Sequence, residues 1–428
     1  MSRHVRPCVA GRFVSAAFAA VGLVGSLAWP RVAAAAAPPP PYGVTNLGTL
    51  PTDYNVASEA WDVNDYGQVI GSSFKQLASP AINDAFIWTP TAPNATTGTM
   101  ARMTPTGGGG QQINSIGQVA GADDLGVQPN LAHLWTPNPL NSNTGTATPL
   151  PALPNRPLTF AWGINDAAQV VGWGANLSQA TPMPDRAFLW KPATANGTSG
   201  TIVELGELAG GEDFSQAFSI NAYGQVIGRS RGTNGDRGFL WQPSAPNATT
   251  GTLINLGVIP GHLFSEANGI TDAGRIVGAS YISAISKNGH AMMWTPTTEN
   301  AANGSFTDLG DLPGGFDYSW AIDINESNTI VGYGYSADGQ RATLWNGVAG
   351  AIDLNTLIDD PLDLWTLEFA RGINEHGQII GYGQFDPDGP AGPTAPAKRA
   401  FLLTPVPEPS LGAALLVPAT LLLRRRRR

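Results

Sequence analysis

A nine-residue phrase recurs seven times along this chain: VNDYGQVIG at 63–71, INSIGQVAG at 113–121, INDAAQVVG at 164–172, INAYGQVIG at 220–228, ITDAGRIVG at 270–278, INESNTIVG at 324–332 and INEHGQIIG at 373–381. Its final glycines, at 71, 121, 172, 228, 278, 332 and 381, are spaced 50, 51, 56, 50, 54 and 49 residues apart. A regular period of this length means one supersecondary unit per repeat, unable to bury its own faces and therefore packed on its neighbours. The 428 residues accordingly read as one large repeat domain, although length alone would suggest two or three.

The phrase itself encodes a hairpin. Asn at the first and Gly at the fourth position of a quartet suit a type I turn whose last residue takes a positive φ. Asn64 to Gly67, Asn114 to Gly117, Asn221 to Gly224 and Asn374 to Gly377 fit fully, and Thr271 stands for the Asn in a fifth copy. Asn328 and Ala168 replace the Gly in the remaining two. Asn tolerates the left-handed region, whereas Ala meets a cost of about 1 kcal/mol or more there, so a different geometry is expected for the third turn.

Further strand-like segments flank each phrase. Before it come VTNLGTLP (44–51), IVELGELAGG (202–211), LINLGVIPG (253–261) and FTDLGDLPGG (306–315). After it come AFIWTP (85–90), AHLWTP (132–137), AFLWKP (187–192), GFLWQP (238–243), AMMWTP (291–296), ATLWNG (342–347) and, in the seventh copy, AFLLTP (400–405). With the two arms of the hairpin this makes four short strands per unit, and 52 Gly and 35 Pro beside only 13% charged residues favour turns over helices. Four-stranded units of about 50 residues predict an all-β, seven-bladed β-propeller with kelch-like blades. An open β-solenoid is the alternative, although its coils are usually shorter. The order of strands also predicts how the ring closes. AFLLTP has no LG strand after it and VTNLGTL (44–50) has no FLW strand before it, so residues 44–49 are expected to pair with 400–404.

The pattern over 42–405 closely resembles the HAF-type extracellular repeat, whose His-Ala-Phe triplet survives here as His290-Ala291-Met292. That resemblance carries no established catalytic residues with it.

Both termini read as address signals. Arg3, His4, Arg6 and Arg12 precede an apolar stretch from Phe13 to Ala28 and the small residues RVAAAAA at 31–37, so residues 1–37 are expected to be an export signal peptide and 38–41 a Pro-rich linker. Cys8 is the sole cysteine and lies before the apolar stretch, so the mature chain has no thiol and no disulfide. The C-terminal segment 406–428 joins Pro407-Glu408-Pro409, an apolar run from Leu411 to Leu423 and five terminal arginines. Those 13 apolar residues fall short of the roughly 20 needed to cross a bilayer, and Pro418 interrupts them. The segment resembles a PEP-CTERM sorting signal. The resemblance implies transient membrane association, processing by an exosortase near Pro407, Glu408 and Pro409, and delivery to the cell surface or an exopolysaccharide matrix.

Losing both ends removes nine of 23 basic and one of 32 acidic residues, which leaves a body near −17. Such a surface repels phosphate backbones, so no nucleic-acid partner is expected. Of the five histidines, His133, His262, His290 and His376 occupy unrelated repeat positions, and HExxH, GxSxG and P-loop sequences are all absent. No catalytic, cofactor or metal residues are therefore assigned, and DPDGPAG (386–392) lacks the spacing of a calcium loop. Trp88, Trp135, Trp190, Trp241, Trp294 and Trp345 share one repeat position, which reads as packing between blades more than as sugar stacking. Before the Ala of the same motif stand Arg186, Arg237, Arg341 and Arg399, with His290 in another unit. These five residues are either a basic ring for an acidic polysaccharide or charges paired on the blade surface, the latter favoured. The sequence thus predicts a non-enzymatic, structural or adhesive surface protein that binds extracellular polysaccharide or another protein. A propeller hydrolase or lyase is the alternative, and it would require acidic groups converging on the central channel.

Overall fold

The computed structural model describes residues 38–407 except 52, 77–81, 104–108, 123–130, 177–182, 286–287 and 347–349. The chain divides into two units, Met1–Ala37 and Pro38–Arg428, and every described residue belongs to the second. The export signal expected at 1–37 and the sorting segment beyond Pro407 lie outside the described residues.

Seven four-stranded antiparallel sheets form the blades of a β-propeller. Their inner strands, in blade order 1 to 7, are Ala57–Val63, Gly109–Ile113, Leu158–Ile164, Ser215–Ile220, Phe264–Ile270, Ser319–Ile324 and Trp365–Ile373. In blades 1 to 6 the strands follow chain order from the channel outward. Blade 7 instead takes its outermost strand, Tyr42–Gly48, from the start of the chain. That strand runs antiparallel to Ala397–Pro405, with Tyr42 opposite Pro405, Val44 opposite Leu403 and Gly48 opposite Ala400. The ring is therefore closed as the strand order predicts, and the open solenoid is excluded. Among the described residues no helix is long and apolar enough to cross a membrane.

All seven hairpin turns share one geometry. In each, the N–H of the fourth residue donates to the carbonyl of the first, as from Gly67 to Asn64 (2.9 Å), Ala168 to Asn165 (2.9 Å) and Asn328 to Asn325 (3.0 Å). The fourth residue is left-handed throughout: Gly67 at φ 85°, Gly224 at 86°, Asn328 at 62° and Ala168 at 57°. The expectation that the third turn departs is thus corrected. Ala168 keeps the common geometry because its turn is held on both sides: Asn165 Oδ1 accepts from the Ala167 and Gln169 N–H groups.

The blades are joined by apolar and polar seams. Trp190 and Phe188 of blade 3 pack with Ala120 and Leu134 of blade 2, and Trp88 of blade 1 packs with Ala400 and Leu402 of blade 7. The six repeated tryptophans are all buried, each burial contributing about 2–3 kcal/mol of transfer free energy. Beside them, a buried hydroxyl on the inner strand stitches to the preceding blade. Ser215 Oγ accepts from the Ala187 N–H, and Ser58 Oγ does the same for Ala400 across the closing seam, each at 3.0 Å.

The last glycine of the phrase has a steric reason. A Cβ on Gly71, Gly172, Gly228, Gly278, Gly332 or Gly381 would lie 1.8–2.1 Å from an inner-strand carbonyl oxygen. Each of these glycines faces a β-bulge in the inner strand, where the pairing register slips by one residue. The bulge, repeated in every blade, shapes the channel.

Candidate ligand-binding channel

In blade 1, Ala60 pairs with Gly71 and Asp62 with Ile70, so Trp61 is left unpaired. The same slip leaves Gln111, Trp162, Phe218, Asn268, Ile322 and Arg371 unpaired in blades 2 to 7. All seven unpaired residues line one central cavity. Bulges re-aim side chains, and here they turn toward the channel a position two residues before the phrase whose residue type varies from blade to blade. The signal the sequence offers for it is a position that varies from Trp to Gln to Arg beside the recurring turn residues.

The two mouths of the channel differ in chemistry. At the turn end, the Asn side chains form a near-continuous ring of hydrogen bonds to the backbone carbonyl of the next blade. Asn64 donates to Asn114 O (3.0 Å), Asn114 to Asn165 O (3.3 Å), Asn165 to Asn221 O (3.0 Å), Asn221 to Thr271 O (3.0 Å), Asn325 to Asn374 O (3.2 Å) and Asn374 to Asn64 O (3.1 Å). Thr271, with no amide to donate, interrupts the ring. Outside it, Asp65, Asp166, Asp272, Glu326 and Glu375 make an acidic rim around a cavity of about 250 Å³. Each carboxylate accepts a backbone N–H from the preceding blade, as Asp65 does from Glu375 (2.9 Å) and Glu375 from Glu326 (2.9 Å). Burial and the neighbouring Asp65, Glu326 and Asp272 charges raise Glu375 above the usual carboxylate range.

The opposite mouth opens into an aromatic cavity of about 340 Å³. Tyr333 and Phe369 lie 4.1 Å apart between centroids, Tyr318 and Trp320 5.8 Å, and Trp162 and Phe218 6.1 Å. The Arg371 guanidinium sits 4.6 Å above the Trp61 ring and 5.1 Å from Phe369. The Glu266 carboxylate also lines this cavity and lies 3.8 Å from Arg229, while no salt bridge to Arg371 is formed among the described residues and the Arg371 Nε has no hydrogen-bond partner. A cation held by ring faces and not directly paired with a carboxylate keeps donors free for an anionic group.

Between the mouths stand Asp62 and Asp323. Asp62 accepts from the Val63 and Ile113 N–H groups, both at 2.8 Å, and Asp323 from those of Ile324 (2.8 Å) and Ile373 (2.9 Å). Burial, then the charge of Asp323, pushes Asp62 well above the usual range, and burial pushes Asp323 up to about 6. Gln112 occupies the corresponding place in blade 2 and accepts from the Ile164 N–H at 2.8 Å, so the blade-to-blade bond needs no charge.

The five residues singled out for a basic ring lie away from the channel, on the third strands of their blades. Arg186 pairs with Glu207 and Asp213, and Arg341 Nε lies 3.6 Å from Asp353. Arg237 donates to the carbonyls of Leu263 and Asp236, and Arg399 to those of Val56 and Lys398. His290 meets Asp308, Asp311 and Asp317. Burial would lower its pKa, but Asp308, Asp317 and Asp311 override that and hold it up to about 9. His262, at an unrelated repeat position, comes within 5.7 Å of the His290 ring, a convergence that spacing concealed. In the 386–392 segment, Asp388 accepts from both the backbone and the hydroxyl of Thr394, which fastens the loop to itself. Of the sorting motif only Pro407 is described; Glu408 and Pro409 lie outside the described residues.

The fold is similar to the β-propeller domain of the Trilobed protease from Pyrococcus furiosus, at 9% identity over 72% of this chain and 98% of that one, with a TM-score of 0.34. It is also similar to the PQQ-bound form of aldose sugar dehydrogenase from Streptomyces coelicolor, at 10% identity over 86% of this chain and all of that one, with a TM-score of 0.33. No family model and no curated protein matches the sequence.

Proposed function

We propose that the mature chain is an exported, surface- or matrix-associated binding protein that holds an extracellular polysaccharide at the aromatic mouth of its channel. The observation that carries this reading is the run of aromatic faces around Arg371, which makes no direct salt bridge among the described residues. Flat rings stack on the apolar faces of pyranose sugars, and a guanidinium meets a carboxylate through two parallel hydrogen bonds. The ligand class is therefore a polysaccharide bearing uronate residues. The acidic rim turns a polyanion away from the other mouth, which leaves the Arg371 end as the favourable approach. Delivery belongs to the same proposal: exosortase processing at Pro407-Glu408-Pro409 after transient membrane association, with no nucleic-acid partner. A glycan array probed with the mature protein is expected to select uronate-containing oligosaccharides, with affinity reduced about tenfold or more in Trp162→Ala and Arg371→Gln. Binding indifferent to both substitutions, or to no glycan at all, defeats the reading.

A second reading, a polysaccharide hydrolase or lyase, has one observation in its favour: Asp62 and Asp323 flank one channel with raised pKa values. Both oxygens of each carboxylate already accept backbone N–H groups, and Gln112 does the same work uncharged. Binding is therefore preferred. Release of reducing ends or unsaturated uronates that disappears in Asp62→Asn would reverse this preference.

A further inference from the structure

The junction of blades 5 and 6 differs from its counterpart between blades 3 and 4 in one informative way. In the latter, Arg186 bridges Glu207 and Asp213. The segments IVELGELAGGEDFS (202–215) and FTDLGDLPGGFDYS (306–319) align without a gap, which places Asp311 on Glu207 and Asp317 on Asp213. Asp308 likewise falls on Glu204. The acidic frame is thus kept, while the bridging residue changes from Arg186 to His290. A guanidinium is a permanent cation with no lone pair, so it can only neutralise the carboxylates. An imidazole carries a nitrogen lone pair and can share a cation with them.

The orientation of the ring suits that second role. Asp308 lies 2.7 Å from His290 Nδ1, which directs Nε2 at Asp311, 3.3 Å away, and at Asp317. Metal-bound histidines commonly donate their other ring N–H to a carboxylate in this way, which fixes the tautomer and the ring plane. One ligand atom from each of His290, Asp311 and Asp317 can be chosen so that all lie within 4.8 Å of one another. The 3.3 Å separation from Asp311 matches an edge of a tetrahedron with metal–ligand bonds of about 2.0–2.1 Å, whereas Asp317, hydrogen-bonded to Nε2 at 2.5 Å, has to draw back by roughly 1 Å when an ion replaces the proton. His262 stands beside them with its Nδ1 buried and unpartnered, and Asp311 Oδ1 is buried without a partner as well.

We propose that His290, Asp311 and Asp317, with Asp308 positioning the His290 ring and a water completing the set, bind a first-row divalent cation of the Zn²⁺ class across the junction of blades 5 and 6. Mixed imidazole and carboxylate donors in a small set favour such an ion over Ca²⁺ or Mg²⁺, which take more oxygen ligands. The site lies on the outer strands, away from the channel, and stands independently of polysaccharide binding.

The test is calorimetric titration of ZnCl₂ into the intact mature protein, prepared without a histidine tag and freed of metal by chelator, with elemental analysis of the dialysed product. One Zn²⁺ per chain and a higher melting temperature are expected, with uptake unaffected by excess Mg²⁺. His290→Arg copies the Arg186 junction and so retains the fold, and it is expected to take up none. Asp311→Asn is expected to weaken binding about tenfold or more. No stoichiometric uptake by the wild type, which leaves a proton as the bridge, overturns the proposal, and so does equal uptake by His290→Arg.

Discussion

Asn374 in the last blade donates its side-chain amide to the backbone carbonyl of Asn64 in the first, at 3.1 Å and across 310 residues of chain. The same side chain accepts the Gln378 and His376 N–H groups through Oδ1. A residue that shapes its own turn therefore also fastens the ring, which couples local hairpin formation to closure.

Asn374→Ala is expected to cost about 2–3 kcal/mol, because it orphans buried backbone groups of its own turn and of the closing seam. Thr271→Asn supplies the amide missing from the ring toward Asn325 and is expected to add about 1 kcal/mol. Chemical-denaturation midpoints measure both. If Asn374→Ala is as stable as wild type, the ring of amides is decorative.

Removal of residues 42–50 takes away a single strand yet strips blade 7 of its edge and exposes Ala397–Pro405. Loss of cooperative unfolding, or aggregation through the bared edge, is expected in light scattering and calorimetry. A monomeric truncation with an unchanged melting temperature would contradict closure by this strand.

Ala168 stands at φ 57° where five other blades place Gly and one places Asn. Ala168→Gly relieves the left-handed strain and is expected to raise stability by about 1 kcal/mol, less the small loss from a buried methyl. A lower unfolding midpoint would mean that the methyl's packing outweighs the strain.

The pH dependence of Asp323 has a defined sign. Its folded-state pKa of about 6 stands above the ordinary 3.8, so the fold favours the protonated acid. That contribution is fully present below pH 4 and is lost as pH rises toward 6. Asp323→Asn removes this contribution together with the charge that helps raise Asp62, so the variant should gain about 1–3 kcal/mol on the wild type between pH 4 and pH 7.5. Urea unfolding at the two pH values measures this, and a gap that does not change with pH refutes it.

The repeat, the four strands per unit, the number of blades and the closing strand were all legible in the sequence. Each is written in local signals: Asn and Gly at turn positions, alternating apolar runs, and one LG strand displaced to the chain's start. The occupants of the channel were not legible. Trp61, Trp162, Phe218 and Arg371 reach it because each inner strand bulges by one residue against a glycine, and a bulge is a property of the pairing between two strands. The same holds for Ala168, which keeps a left-handed turn that local preference opposes because hydrogen bonds on both sides of it outweigh roughly 1 kcal/mol of strain. His262 and His290 meet for a related reason. Their spacing follows no motif, and only the packing of one blade's loop against the next blade's strand brings the rings to 5.7 Å. Periodicity along a chain determines which elements form and in what order, whereas register and blade-to-blade contact, which sum over residues far apart in sequence, decide which side chains share a site.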